Sequence, residues 1–506
     1  MTTEAATPES AGAREWVGLA VIALPCLLYS MDLTVLFLAV PELSAELEPS
    51  SAQLLWITDI YGFFLAGLLI TMGTLGDRIG RRRLLLIGAT AFGAVSVVAA
   101  FSTSAEMLIA ARALLGIAGA TLAPSTLSLI RNMFLDPRQR QVAVGVWITS
   151  FSAGAAIGPL VGGALLHFFW WGSVFLAAVP VMVLLLVLGP LLLPEFRDPD
   201  AGRLDLASAA LSLGSVLALI FGLKQIAQDG FGWLPAAAIL IGLAVGAVFL
   251  RRQRLLPYPL LDVRLFRSAA FSTSVAAMCA AVFVVAGIFL FVAQYLQLVR
   301  GEGAFEAALW LLPSTGGLVV GSMVAPVLAR RARPSSVLAV GLALAAVGAG
   351  VLVQVEAGLA VVVAGTSAMG VGAGLVGTLA TDVVVGAAPV QRAGAASAIS
   401  ETGAELGGAL GIAVLGSIGT AVYRNELDEA VRAGIPPRSA DPARDTLAGA
   451  LEAADGLPAP LADRLVDAAR DAFVQGLQLA ALTTAVLVAT LAVVAAALLR
   501  RAPHTG

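Results

Sequence analysis

Apolar stretches of about twenty residues, parted by short polar breaks, run along almost the whole chain. An α-helix rises about 1.5 Å per residue, so roughly 20 apolar residues cross the ~30 Å hydrocarbon core of a bilayer. The pattern predicts spans at 16–38, 54–74, 84–102, 107–130, 142–167, 171–193, 204–223, 233–250, 271–296, 307–328, 335–354, 358–384, 393–422 and 474–499. The fold class this implies is an all-α polytopic membrane protein. Residues 423–473 break the pattern, with ten acidic residues against six Arg and helix-forming runs such as 461–475. They read as an extracellular loop or hairpin, either a plain connection or a gate and cation-attracting surface.

The basic residues set the orientation. With a cytoplasmic N-terminus, the inside segments carry 21 of the 30 Lys and Arg, and the outside segments carry 8, six of them in the loop 423–473. Arg112 lies within a span. The alternation holds at every short loop, which places both termini in the cytoplasm and makes the span count even. Fourteen spans preserve it and thirteen scramble it. The sequence therefore divides into a tail 1–15, a six-helix bundle 16–193, a helix pair with flanking loops 194–255, a second six-helix bundle 256–499 and a tail 500–506.

Composition agrees. The chain is 59% hydrophobic and 12% charged, against about 25% charged in soluble domains, and its mean hydropathy is +0.93. A net charge of −3 gives no reason to expect a nucleic-acid partner. The two Cys offer no disulfide framework or metal spacing, and two His leave little for a metal or catalytic site. Residues 1–15 lack the basic-then-apolar layout of a removable leader.

Charged groups inside a bilayer cost several kcal/mol and mark functional candidates. Proton chemistry here falls to carboxylates. Asp32 in "YSMDLTV", Asp59 in "WITDIYGF" and Arg112 in "AARALLG" fall in one depth band of the outer half. They read as a site that takes up and releases a proton, or as a static bridge between helices. Glu401 and Glu405 in "SETGAELGG" are four apart, on one face of helix 13 near mid-membrane. They suit proton coupling and attraction of a cation, or one of them caps backbone near the glycines. Asp382 falls near the inner end of helix 12 and reads as interfacial. Gly154, Gly158 and Gly162 repeat every four residues on helix 5 with Pro159 beside them, giving close packing or a pivot. Trp56, Tyr61, Trp147, Phe151, Phe289 and Trp310 are candidate lining residues for a flat cation, or interface anchors.

The loop "GTLGDRIGRRRLLL" resembles the cytoplasmic signature of the major facilitator superfamily, with Gly73, Asp77, Arg78, Gly80, Arg81 and Arg82 in register. Asp77 at the end of helix 2 can pair with a nearby Arg and with the N-terminus of a neighbouring helix. "MDLTVLFLAVP" (Asp32, Thr34, Pro41), "ARALLGIAGA" (Arg112, Gly116) and "GAAIGPLVGG" resemble signatures of that superfamily's fourteen-helix drug:proton antiporters, and "ETGAELGGALGIAVLGSI" is similar to quaternary-ammonium and methyl-viologen efflux pumps. The resemblance covers essentially the whole chain. It implies the major facilitator fold, with two six-helix bundles and two extra central helices in a bacterial inner membrane.

It also implies alternating access, with proton-driven export of lipophilic cations such as quaternary ammonium compounds, ethidium and fluoroquinolones. No enzymatic activity or cofactor is expected. The expected partners are small cations, protons and membrane lipid, with a monomeric assembly. There are departures. Leu38 or Phe37 stands where the helix 1 signature has Asn, the helix 6 entry has Ala in place of Ile-Asn, and helix 10 lacks an acidic residue, which favours monovalent over dicationic cargo. Of the cytoplasmic signature's second copy only Arg330, Arg331 and Arg333 remain. A same-fold exporter of one dedicated cargo, such as a self-made antibiotic or a lipid precursor, stays open beside this reading.

Overall fold

The computed structural model describes residues 11–197, 205–389, 392–432, 443–444 and 446–500. Their regular structure is helical. The long helices are α1 (Ala13–Leu47), α2 (Ser51–Ile79), α3 (Arg81–Ala100), α4 (Ala105–Met133), α5 (Pro137–Phe168), α6 (Ala178–Leu192), α7 (Leu206–Asp229), α8 (Trp233–Leu255), α9 (Ala269–Gln294), α10 (Ala304–Ala329), α11 (Pro334–Leu352), α12 (Leu359–Ala387), α13 (Ala393–Arg432) and α14 (Ala459–Arg500). Among the described residues 13 helical stretches are long and apolar enough to cross a membrane. Helix α5, with 32 residues, is the remaining long helix. Their places follow the hydropathy pattern.

Local chemistry sets the ends. Ser50 caps α2 through Gln53 N–H, and Gln53 reaches back to Ser50 N–H. Ser104 caps α4, Asp136 followed by Pro137 starts α5, and Asp205 starts α7. Gly80 takes φ +111 between α2 and α3. That conformation disfavours any side chain, and a Cβ there would strike Glu195, whose carboxylate accepts from Arg82 and Arg83 N–H at the start of α3.

Within the stretch 423–473, read from sequence as a loop or hairpin, the described residues are largely helical. Helix α13 runs 40 residues, to Arg432, roughly 60 Å at 1.5 Å per residue and far longer than a bilayer core. Helix α14 begins at Ala459, and a short helix Leu447–Ala454 precedes it. Leu465, Ala469 and Phe473 recur at helical spacing and pack with Leu447 and Ala450. The helix-forming run 461–475 is thus an amphipathic extension of α14. Residues 433–442 and 445 of this stretch lie outside the described residues.

The same pairings occur in both halves. Helices α1/α5, α2/α4 and α3/α4 pack in the first half, and α9/α13, α10/α12 and α11/α12 in the second. That is the arrangement of a duplicated unit. Small residues make the seams: a Cβ on Gly154 would collide with the Leu27 carbonyl of α1, and one on Gly411 with the Phe283 carbonyl of α9. Gly158 and Gly162 are buried on the same face as Gly154. The side chains of Thr34, Phe37, Leu38, Pro41 and Pro159 lie outside the described residues. Gly154→Val is expected to destabilise the α1/α5 seam by about 1–3 kcal/mol through overpacking. A thermal midpoint in detergent equal to wild type would refute this.

The pair α7–α8 joins neither half. Helix α7 lays Val216 and Ile220 on Phe63 and Ala66 of α2 and touches Leu406 of α13, so it bridges the two halves from outside. Helix α8 packs on α7, where Ser215 donates to the Gly242 carbonyl at 2.8 Å. At the base of the pair, Arg252 donates to Asp205 at 2.7 Å. Hydrogen bonds from Arg252 and then Ser208 hold that half-buried carboxyl down at about 2.

Candidate functional site

Two connected features stand out, a clasp at the arginine-rich end and a line of buried charge between the halves. The clasp centres on Asp77. Its carboxylate accepts from Arg81 Nε at 2.9 Å and Nη2 at 2.8 Å, and from the backbone N–H of Gly394 and Ala395 at 3.0 Å each. Asp77 therefore caps the N-terminus of α13 from the opposite half. Gly73 permits this approach, because a Cβ there would meet the Gly394 carbonyl and Ala398. Arg78 lines the small cavity beside the clasp, with Thr74 and Arg392. A second tie joins α5 to α12: Arg140 Nε donates to Asp382 at 2.5 Å, and Gln141 donates to its other oxygen at 3.3 Å. Between them Gly145 of α5 abuts the Ser322 carbonyl of α10. By the distribution of arginine this is the cytoplasmic end, and it is closed.

In the outer half, Arg112 is 1% exposed and pairs with Asp32 at 2.5 Å. Its Nε donates to the Ile57 carbonyl at 3.2 Å, and its guanidinium lies 4.6 Å from the Tyr61 ring centroid and 6.0 Å from that of Phe175. The hydroxyl of Tyr61 is buried with no hydrogen-bond partner among the described residues. Tyr61 meets Tyr29 at 6.3 Å, and Tyr29 packs edge-on against Phe151 at 5.3 Å, which packs against Trp147 at 4.7 Å. Trp147 Nε1 donates to Thr126 at 3.0 Å.

Across the divide, the hydroxyl of Tyr29 donates to Glu405 at 3.2 Å. Glu401, one turn along, is buried and forms no hydrogen bond or ion pair among the described residues. A buried carboxylate without a partner is costly, and it is satisfied by taking up a proton or a cation. Asp32, Arg112, Tyr61, Tyr29, Glu405 and Glu401 thus form one line from the first half to the second. Trp147 and Phe151 back it.

Not every candidate joins this line. Asp59 does not meet Asp32 and Arg112; it pairs with Lys224 of α7 at 2.5 Å, and the ammonium lies 5.0 Å from the Phe63 ring. Trp56 packs at a tilt against Phe63, with centroids 6.2 Å apart, beside α7. Phe289 and Trp310 are exposed side chains outside the cluster. Lys224, the single lysine, reads in the sequence as an outside-loop charge, whereas the structure pairs it with Asp59. Arg140 and Asp382 are likewise read from sequence as loop and interfacial charges, although they form a cross-bundle pair. The signal available for both was an unpaired opposite charge at matching depth.

The sequence profile of the Major Facilitator Superfamily matches residues 22–412. The chain is 44% identical to the multidrug efflux pump LfrA of Mycolicibacterium smegmatis, over 96% of this chain and 97% of that one. It is 35% identical to the methyl viologen resistance protein SmvA of Salmonella typhimurium, over 91% and 93%. The crystal structure of the human organic anion transporter MFSD10 superposes with a TM-score of 0.61 at 15% identity, over 94% of this chain and 99% of that one, which speaks to the fold alone.

Proposed function

This chain belongs to the Major Facilitator Superfamily and is a multi-pass protein of the bacterial inner membrane, and from that premise we propose that it is a proton-coupled exporter of lipophilic cations. The observation that carries the reading is the carboxylate pair of buried Glu401 and half-buried Glu405, set against aromatic rings and joined through Tyr29 and Tyr61 to Asp32 and Arg112. Carboxylates in a site of low polarity bind a proton or a cation, not both at full strength. Aromatic faces add attraction for a flat cation.

In the proposed cycle the site opens to the outside while the cytoplasmic clasp is closed. Protonation of Asp32 and of a glutamate there discharges the cation. When the halves rock and the clasp opens, the proton leaves to the cytoplasm and the carboxylates accept the next cation. The proton gradient drives the cycle, and no cofactor enters it. The similarity to proteins named for multidrug efflux and methyl viologen resistance supports this cargo class.

The test is ethidium and methyl viologen efflux from proteoliposomes under an imposed pH gradient, wild type beside the double variant Glu401→Gln, Glu405→Gln. Wild type is expected to export ethidium. The double variant is expected to bind it at least ~10-fold more weakly, since each tenfold corresponds to about 1.4 kcal/mol. Full affinity in the double variant removes the cation-site role. No efflux from folded wild type moves the chain to a single dedicated cargo.

A further inference from the structure

Between the spans α8 and α9, residues 256–268 run along the cytoplasmic face. They border a cavity of about 660 Å³ that also takes in the end of α8 and the start of α13. Its lining holds four guanidiniums, those of Arg254, Arg264, Arg267 and Arg392, against a single carboxylate, Asp262. That carboxylate is engaged: one oxygen accepts from Arg392 at 3.4 Å, and the other accepts from Arg264 N–H at 3.0 Å. Arg254, Arg264 and Arg267 make no side-chain ion pair among the described residues. These three guanidiniums are exposed, and their clustering around one cavity raises the local positive potential and draws an anion there.

Apolar side chains stand beside this charge. Tyr258 and Phe266 of this stretch are exposed, as is Leu255 at the end of α8 just before it. The segment joins two spans directly, so it lies at the level of the lipid headgroups. Exposed aromatic and aliphatic groups interleaved with arginine at that depth suit acyl chains and phosphate together. A soluble anion explains the arginines and leaves the exposed apolar groups without purpose.

We infer that this cavity binds the phosphate of an anionic phospholipid, with Arg264 and Arg267 as its principal contacts. The bound headgroup sits two residues from the clasp, because Arg392 precedes Gly394, whose N–H donates to Asp77. The site is independent of the central carboxylates and of what they transport.

The test is a titration of the detergent-purified full-length chain with short-chain phosphatidylglycerol, read by native mass spectrometry. Phosphatidylcholine and inorganic phosphate are run in parallel. The variants are Arg264→Gln with Arg267→Gln, and Arg251→Gln as a control at the same face outside the cavity lining. Wild type is expected to retain phosphatidylglycerol over phosphatidylcholine. Each guanidinium near an anionic surface is worth roughly fivefold, so the double variant should bind about 25-fold more weakly while Arg251→Gln changes little. Equal retention of both lipids overturns the proposal, as does equal phosphatidylglycerol binding by wild type and double variant. Competition by inorganic phosphate as effective as the lipid reassigns the site to a soluble anion and overturns the lipid assignment.

Discussion

In Asp32→Asn, ethidium efflux driven by a pH gradient is expected to fall at least ~100-fold, about 2.7 kcal/mol, while ethidium binding falls far less. Asn has nearly the shape of Asp and still offers Arg112 an oxygen, but it cannot take up and release a proton. The change leaves Arg112, which is 1% exposed, without its counter-charge. Breaking a buried pair costs roughly 3–5 kcal/mol, so the variant is first checked for a single elution peak and a measurable thermal midpoint. The two readings of the pair then separate. A static bridge loses stability and keeps gradient-driven efflux. A coupling site keeps dye affinity and loses its response to the gradient, so inside and outside dye merely equilibrate. Full driven efflux by a folded Asp32→Asn protein removes Asp32 from coupling.

The number and places of the helices were legible because a bilayer offers the backbone no hydrogen-bond partner, so every apolar run long enough to cross must be a helix. The charged positions were legible for a related reason, since each is expensive and so stands out. Which charges meet is another matter. Asp59 and Lys224 are 165 positions apart, and Arg140 and Asp382 are 242 apart. Their pairing depends on how the halves and the inserted pair pack, which hydropathy does not encode. The aromatics failed similarly. A span that is apolar on every side gives no sign of which ring faces inward, so Tyr61, Trp147 and Phe151 could not be told from Phe289 and Trp310. For Asp77 the local motif supplies several nearby Arg and the glycines that let another helix end approach, and the packing selects Arg81 among them. The start of α14 was legible in the helix-forming run 461–475, whereas how far α13 runs past the membrane, to Arg432, was not, because polar, acidic helix resembles polar, acidic loop in composition.

The second large effect is expected at the clasp. Asp77 serves two partners that behave differently when the halves separate. Arg81 follows it on the next helix of the same half, so their pair persists in both states and contributes little to the balance between them. The N–H groups of Gly394 and Ala395 belong to the other half and meet Asp77 only while the cytoplasmic end is closed. Each such cap is worth about 1 kcal/mol, so Asp77→Ala should shift the balance toward the inward-open state by about 2 kcal/mol, close to 30-fold. Ala398 reports this shift, because it is buried against Gly73 behind the clasp. In a background where Cys26 and Cys279 are replaced by Ala, A398C should react with a membrane-impermeant maleimide from the cytoplasmic side up to ~30-fold faster once Asp77→Ala is added, because reaction follows the population of the open form. Efflux should fall in the same variant, since a transporter held open to the cytoplasm seldom delivers cargo outward. Unchanged labelling would mean that the closed end is held by the Arg140–Asp382 pair and the α5/α10 seam, and that the capping of α13 by Asp77 serves folding rather than the transport cycle.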